Sequence, residues 1–119
     1  MRHFMKLHDE PFELIEREVK TFELRLYDEK RQLIKIGDEI VFSRRSDPDR
    51  TVSCTVTSLN VFESFDELYE HLPLLKCGYT SENFAKAKPG DMAKYYSPEE
   101  EKRFGVVGIG IRKLNDQFE

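Results

Sequence analysis

Residues 20–42 read KTFELRLYDEKRQLIKIGDEIVF, a strand pattern followed by a polar segment, a turn and a second strand. Successive side chains of a strand point to opposite faces, and here apolar residues alternate with polar ones. The apolar set is Phe22, Leu24 and Leu26, and the opposite set is Thr21, Glu23, Arg25 and Tyr27. The pattern predicts a strand with one buried side. The turn at Gly37-Asp38 predicts a further strand over residues 38–44.

Three charged residues stand close together at the front of this strand. Glu23 and Arg25 are two apart, so both project from the same face, where the arginine presents a donor fork beside a carboxylate acceptor. Lys20 lies at the strand entrance, within reach of both. One interpretation is an ion-pair cluster on a strand surface, worth under about 1 kcal/mol if exposed. The other is a binding site built from the same groups.

The flanking sequence predicts more strands. Residues 3–8 alternate enough for a first strand, and the DPDR sequence at 47–50 predicts a turn. Residues 51–62 predict a long strand rich in β-branched side chains. Its apolar parity changes between Val56 and Leu59, which predicts a β-bulge and a bend of the sheet.

Helices are predicted mainly in the second half of the chain. Residues 64–68 and 97–100 each carry a serine cap followed by acidic residues, the signature of a helix start. Shorter helical pieces are predicted at 81–87 and 91–95, before a last strand over residues 105–114. The predicted fold is α+β: a small, strongly bent or closed mixed β-barrel of five to six strands with short helices on its flanks.

Composition limits the classes of function. The 119 residues predict one domain over residues 1–119, and 39% hydrophobic with 35% charged residues predicts a folded, soluble protein. A net charge of −4 argues against indiscriminate affinity for polyanions, although a basic face can exist on an acidic protein. No apolar run approaches the roughly 20 residues that cross a bilayer, so we predict no membrane contact and a cytoplasmic location.

No metal or cofactor is predicted. His3, His8 and His71 lack HxxxH or HExxH spacing, and Cys54 and Cys77 lack CxxC spacing. The two cysteines are predicted to be small buried side chains with free thiols. The GIG sequence near the end lies inside a predicted strand, which argues against a dinucleotide site.

Residues 20–42 resemble the signature of the ASCH domain, a member of the PUA-like superfamily of small β-barrels. The ASCH motif runs GxKxxExR and is followed by a KxGD turn and an apolar strand. The matching residues are Lys20, Glu23 and Arg25 for the charged positions, and Lys35, Gly37 and Asp38 for the turn. The similarity extends more loosely to YYSPEEEKRFGVVGIGI near the end. Glu18 occupies the glycine position of the motif, a departure that bears on the shape of the loop before the strand.

The resemblance implies a cleft in which the motif faces RNA or a modified nucleoside. Lys20 and Arg25 would then hold phosphate or a base edge, while Glu23 accepts from an amino group or orients Arg25. Aromatic side chains in such a cleft stack on unpaired bases. The remaining candidate ligand-binding residues are Tyr27, Tyr95, Tyr96 and Ser97.

The resemblance also implies an alternative. One branch of ASCH-like proteins comprises small amidohydrolases that act on N4-acetylcytidine with a lysine, a threonine three residues later and a distant glutamate. Here Lys20 and Glu23 would be the catalytic residues, because Glu23 replaces the threonine. Thr21 offers a hydroxyl out of register, and Glu82 is a candidate for the distant carboxylate. Ribonuclease activity has also been attributed to the family, but no pair of histidines supports it here.

Overall fold

The computed structural model describes residues 1–114, which form one curled, five-stranded mixed sheet with helices against it. The strands and helices, in chain order, are β1 (Arg2–Leu7), α1 (Asp9–Glu16), β2 (Phe22–Leu26), β3 (Glu39–Arg44), β4 (Asp47–Phe62), α2 (Phe65–His71), α3 (Pro98–Phe104) and β5 (Val106–Lys113). Short 3-10 turns cover Arg31–Leu33, Leu74–Lys76, Phe84–Lys86 and Pro89–Lys94. This α+β architecture of five strands confirms the predicted fold class.

The strands lie in the order β1-β3-β4-β5-β2. The β1 and β3 strands run parallel, and the other neighbouring pairs are antiparallel. The last strand, β5, therefore joins the long β4 to the motif strand β2, as predicted for a strand that completes the sheet. The result is a half-barrel with β1 and β2 at its two edges.

The open seam of the half-barrel is bridged by side chains. On β1, the carbonyl of Phe4 accepts from Lys30 Nζ at 3.3 Å and that of Lys6 accepts from Arg25 Nη2 at 3.2 Å. Unpaired edge carbonyls invite pairing with other chains, and charged side chains are a common protection. Arg25 therefore links the two edges at the same place where it meets Glu23.

Of the two predictions made for the β4 region, one is confirmed and one is wrong. The predicted bulge is confirmed, because the register with β5 shifts between Val56 and Ser58. The predicted turn at 47–50 is wrong: the chain turns at residues 45–46, and Asp47 already pairs with Arg44. Only Asp47 of the DPDR sequence pairs with β3, and residues 48–50 fall in a register shift between the Arg44–Asp47 and Ser43–Thr51 pairs, so the sequence forms an irregularity of the strand instead of the turn.

The sheet carries apolar clusters on both of its faces. One cluster contains Phe12 and Ile15 of α1, together with Phe42 and Ile109 of the sheet. The other contains Leu24 and Leu26 of β2, packed with residues of α2. Burial on the second face of β2 is also high, since Glu23 is only 3% exposed. We expected only one face of β2 to be buried. This expectation is wrong, because the face that carries Glu23 is buried as well.

Serine caps begin α2 and α3 as predicted. Ser64 Oγ accepts from the N–H of Glu67, and Ser97 Oγ accepts from the N–H of Glu100, whose carboxylate bonds back to the N–H of Ser97. This reciprocal pair satisfies N–H groups that the first helical turn leaves free. Within residues 1–114, no helix is long and apolar enough to cross a membrane.

Candidate functional site

The Lys20, Glu23 and Arg25 side chains form one buried ionic cluster. Lys20 Nζ lies 2.8 Å from Glu23 Oε1, and Arg25 Nε donates to Glu23 Oε2 at 2.6 Å. The three side chains are only 9%, 4% and 16% exposed, in that order. This is not the exposed ion-pair cluster of the first interpretation, because all three groups have lost most of their contact with water.

The protonation of Glu23 is controlled by its two partners. Burial by itself would raise the pKa of the carboxyl, but the charges of Lys20 and Arg25 outweigh burial and lower the pKa of Glu23 below its ordinary value. Burial likewise works against the charged form of Arg25, and the carboxylate of Glu23 raises the pKa of that guanidinium. The cluster thus holds two cations and one anion at neutral pH.

The end of α1 places Lys20 beside this strand. The N–H groups of Val19 and Lys20 both donate to the carbonyl of Leu14, and the N–H of Glu18 donates to that of Ile15. This is the Schellman arrangement, in which the residue after the helix takes a left-handed conformation. Glu18 has φ +62°, so it adopts the backbone conformation that a glycine would adopt at this position of the motif.

The segment after α2 covers the stem of Lys20. The N–H of Thr21 donates to the carbonyl of Lys76 at 2.8 Å, and a Cβ on Gly78 would lie 3.7 Å from Lys20 Cδ. Cys77 is buried next to them with a free thiol, as predicted, and burial raises the pKa of this thiol to about 11. A thiol with this pKa is protonated at neutral pH, so Cys77 contributes to packing and is not an activated nucleophile.

The ionic cluster lies in the wall of a cleft of about 620 Å³. Of the predicted site residues, Tyr95 and Tyr96 line the same cleft. Tyr96 stacks on Phe65 and is partly buried, whereas Tyr95 is half exposed. Two predicted residues are not among the cleft-lining residues: Tyr27 packs against the first apolar cluster, and the hydroxyl of Ser97 caps α3.

Three hydrogen-bonded side chains form a part of the cleft wall, and the sequence did not predict this network. Tyr79 Oη donates to Asp91 Oδ2 at 2.7 Å, and Tyr69 Oη lies 2.7 Å from Tyr79 Oη. Since Tyr79 uses its proton on Asp91, Tyr69 donates to Tyr79. Burial and the hydrogen bond that Tyr79 donates to Asp91 raise the pKa of Tyr79, and the same bond lowers the pKa of Asp91. This network connects α2 to the 3-10 turns that follow it.

The second half of the motif has a structural role. Gly37 has φ +95°, and Asp38 Oδ2 accepts from the N–H of Lys35 at 3.0 Å while it bonds His3 Nε2 at 2.8 Å. The hydrogen bond with His3 is the largest cause that lowers the pKa of Asp38, to about 2. None of these residues lines the cleft. They fix the turn that sends β3 alongside β1.

The residues required by the amidohydrolase alternative are not all brought to the cleft. Lys20 and Glu23 line it, but Thr21 lines a separate small cavity of about 110 Å³, and Glu82 is exposed and is not among the cleft-lining residues, although its neighbour Asn83 is. Of the three histidines, His8 lines the cleft and His71 stacks on Phe62. No group of three or more histidine, cysteine or acidic side chains suited to a metal ion occurs within residues 1–114.

Comparison with known proteins bears on the family and the fold of the chain. The sequence profile of the ASCH domain matches residues 5–115. The crystal structure of hypothetical protein PH0355 has 34% identity to the chain and a TM-score of 0.78, with 96% of this chain and 100% of that chain covered. The solution NMR structure of protein PF0455 from Pyrococcus furiosus has 34% identity and a TM-score of 0.71, with 96% and 98% covered. A search among curated proteins found no significant match.

The profile match spans nearly the whole chain and includes the Lys20, Glu23 and Arg25 cluster and the Lys35 to Asp38 turn. The two solved structures extend this similarity to the complete half-barrel, at an identity at which family membership is secure. The chain therefore belongs to the ASCH domain family.

Proposed function

We propose that this protein binds RNA or a modified nucleoside, with a base held against Lys20, Glu23 and Arg25. The observation that carries the proposal is that three charged groups are buried together in the wall of the cleft. Glu23 Oε1 lies 2.8 Å from Lys20 Nζ, and Glu23 Oε2 accepts from Arg25 Nε at 2.6 Å. A carboxylate has about four lone-pair sites, so Glu23 keeps acceptor capacity for a ligand N–H beside these two contacts.

The neighbouring groups complement this acceptor. Arg25 has five N–H donors, and within the described residues they make two hydrogen bonds, to Glu23 and to the carbonyl of Lys6. The remaining N–H groups and the ammonium of Lys20 can donate to a base carbonyl or ring nitrogen beside the amino group that Glu23 accepts. Glutamate acceptance from an amino group together with donation by arginine is a known form of base-edge recognition.

Tyrosines provide faces for stacking. Tyr95 is half exposed at the cleft, and Tyr96 is held by its stacking on Phe65. Base–aromatic stacking is worth about 1–3 kcal/mol per base. Ser97 acts indirectly, since its cap begins α3 immediately after these two tyrosines. Tyr27 acts at most through the core that supports β2.

Binding fits this cleft better than amide hydrolysis. Glu23 stands where the amidohydrolase branch has its hydroxyl, and a carboxylate cannot replace that nucleophile in an unchanged mechanism. Its ion pairs with Lys20 and Arg25 also lower its pKa, which makes it a weak general base near neutral pH.

The proposal predicts that Arg25→Lys weakens ligand binding by roughly 10-fold or more. The variant keeps the positive charge next to Glu23 but loses the planar fork, and a good bidentate contact is worth about 1–3 kcal/mol. We would titrate RNA hexamers of cytidine, adenosine and uridine into both proteins by calorimetry. Arg103→Lys, an exposed arginine of α3 outside the cleft, is the matched control and should bind as the wild type does.

Equal affinities of Arg25→Lys and the wild type for every hexamer would overturn the proposed role of the cluster. The comparison is informative only for folded protein, so circular dichroism and the melting temperature would be recorded for each variant. If the wild type binds none of the hexamers and none of the corresponding nucleosides, the proposal itself is wrong.

A further inference from the structure

Four cations surround the cleft in addition to Lys20 and Arg25. They are Lys6, Arg45, Lys86 and Lys94, which we call the cationic rim. Among residues 1–114, no rim side chain lies in an ion pair, whereas Arg2, Arg31, Arg44 and Arg50 all do. Four cations without an ion-pair partner within residues 1–114, all at one cleft, are unexpected in a chain with a net charge of −4.

The rim comes from two separate parts of the fold. Lys6 lies on β1, and Arg45 lies in the tight turn between β3 and β4, where its N–H donates to the carbonyl of Leu7 at 2.9 Å. Lys86 and Lys94 lie on the 3-10 turns that follow α2. The rim cations therefore come from two segments that are distant in sequence and line one cleft.

Few acidic groups compensate this charge. Besides Glu23, the acidic residues that line the cleft are Glu10 and Asp91. Asp91 accepts hydrogen bonds from Tyr79 and from the backbone N–H of Lys88, and the charge of Lys94 also lowers its pKa, so Asp91 offsets part of the rim charge. Glu23 lies between the two cations of its own cluster. The six cations that line the cleft still outnumber its three acidic residues, and a neutral nucleoside has no group that would use the excess positive charge.

Exposed aromatic rings line the cleft beside the cationic rim. The His8 and Tyr95 rings lie with centroids 6.2 Å apart, and Lys94 Nζ lies 5.3 Å from the centroid of Tyr95. Both rings belong to exposed residues that line the cleft. Exposed rings next to cations are typical of sites for single-stranded nucleic acid, in which bases stack and phosphates meet lysine or arginine.

We infer that the ligand is a nucleotide within a single RNA strand, with phosphates on both sides of the bound base contacted by the cationic rim. This inference rests on the proposed function and names its substrate class, since it selects a strand over a free nucleoside. The inner cluster reads the base, and the rim holds the backbone. Backbone contacts position a strand but carry no sequence information, so the two groups of residues have separable effects.

The test compares RNA trinucleotides of cytidine, adenosine and uridine with the corresponding free nucleosides, by calorimetry between about 50 and 200 mM salt. The rim variant is Arg45→Gln/Lys86→Gln, which removes one cation from each part of the rim. The matched control is Lys102→Gln/Arg103→Gln, two exposed cations of α3 that do not line the cleft.

We expect the wild type to bind its preferred trinucleotide at least about 10-fold more tightly than the nucleoside. Each phosphate contact on a single strand contributes a slope of about −0.7 to the dependence of log affinity on log salt. The rim variant should lose most of the gain from the phosphates and about 1.4 of the slope, with its nucleoside affinity unchanged. The control should keep both.

Other results overturn the inference in distinguishable ways. If trinucleotide and nucleoside bind the wild type equally, or if the rim variant keeps the wild-type affinity and salt slope, the rim does not hold phosphates, and the proposed function stands without it. If neither ligand binds the wild type, the proposed function fails together with the inference.

Discussion

Glu23→Gln should lower the free energy of unfolding by about 3 kcal/mol at neutral pH. The substitution preserves the shape of the side chain but leaves Lys20 and Arg25 as buried cations without their anion. Removal of one partner from a buried ion pair typically costs about 3–5 kcal/mol, because the remaining charge has lost its hydration without compensation. Urea unfolding followed by circular dichroism measures the change.

Two further variants separate this explanation from a general sensitivity to substitution. Glu16→Gln breaks the exposed pair with Arg50 and should cost less than about 1 kcal/mol. The double variant Glu23→Gln/Lys20→Met removes one of the uncompensated cations and should be more stable than Glu23→Gln alone. A double variant as unstable as the single one, or a Glu23→Gln protein as stable as the wild type, would contradict the coupling of the three charges.

The same cluster predicts the pH dependence of this difference. Because the pKa of Glu23 is lower in the folded state, its contribution is complete above its unfolded value of about 4.5 and is lost as the pH falls through the folded value. The stability difference between wild type and Glu23→Gln should therefore be constant above about pH 5.5 and shrink in acid. A difference that grew as the pH fell would reverse the sign of the assigned pKa shift.

Gly105→Ala should be the other strongly destabilising change, by about 3 kcal/mol. Gly105 ends α3 with φ +72° and ψ −171°, a region that essentially only glycine occupies. An added Cβ would lie 2.9 Å from the carbonyl oxygen of Phe62, a backbone atom with little freedom to move. The same residue accepts from the N–H of Tyr27 at 3.0 Å, so a shift there disturbs the end of β2.

Gly90→Ala is the matched control for this prediction. Gly90 is exposed, and a Cβ on it would meet no atom within 4 Å. Its substitution should change the free energy of unfolding by less than about 0.5 kcal/mol. Thermal unfolding of the two variants side by side checks the contrast. Equal melting temperatures for both alanine variants would contradict the assigned strain at Gly105.

Local patterns in the sequence predicted the parts of the fold that local physics controls. The period-2 alternation placed Glu23 and Arg25 on one face of β2, and the serine caps placed the starts of α2 and α3. The change of parity within β4 predicted the bulge. In each case the deciding interactions lie within a few residues of the chain, so the sequence pattern carries them.

Tertiary contacts decided the features that the sequence did not predict. The parallel pairing of β1 with β3 joins residues 37 positions apart, and no local pattern encodes it. The surroundings of the ionic cluster depend on the segment around Gly78, which covers Lys20, and on β1, whose Lys6 carbonyl accepts from Arg25, both distant in sequence. The wall formed by Tyr69, Tyr79 and Asp91 comes from a region without hydrophobic periodicity, where the pairing of side chains cannot be read from spacing.

The most direct test of the proposed site is an NMR titration of the 15N-labelled protein with its preferred RNA trinucleotide. We predict that the largest amide shifts fall in residues 20–25, 77–79 and 91–96, which surround the cleft. The turn at Gly37-Asp38, outside the cleft, should keep its shifts. The opposite result is that the largest shifts fall at that turn or on the exposed side of β1 around Phe4, while residues 20–25 are unaffected. It would contradict recognition by the Lys20, Glu23 and Arg25 cluster.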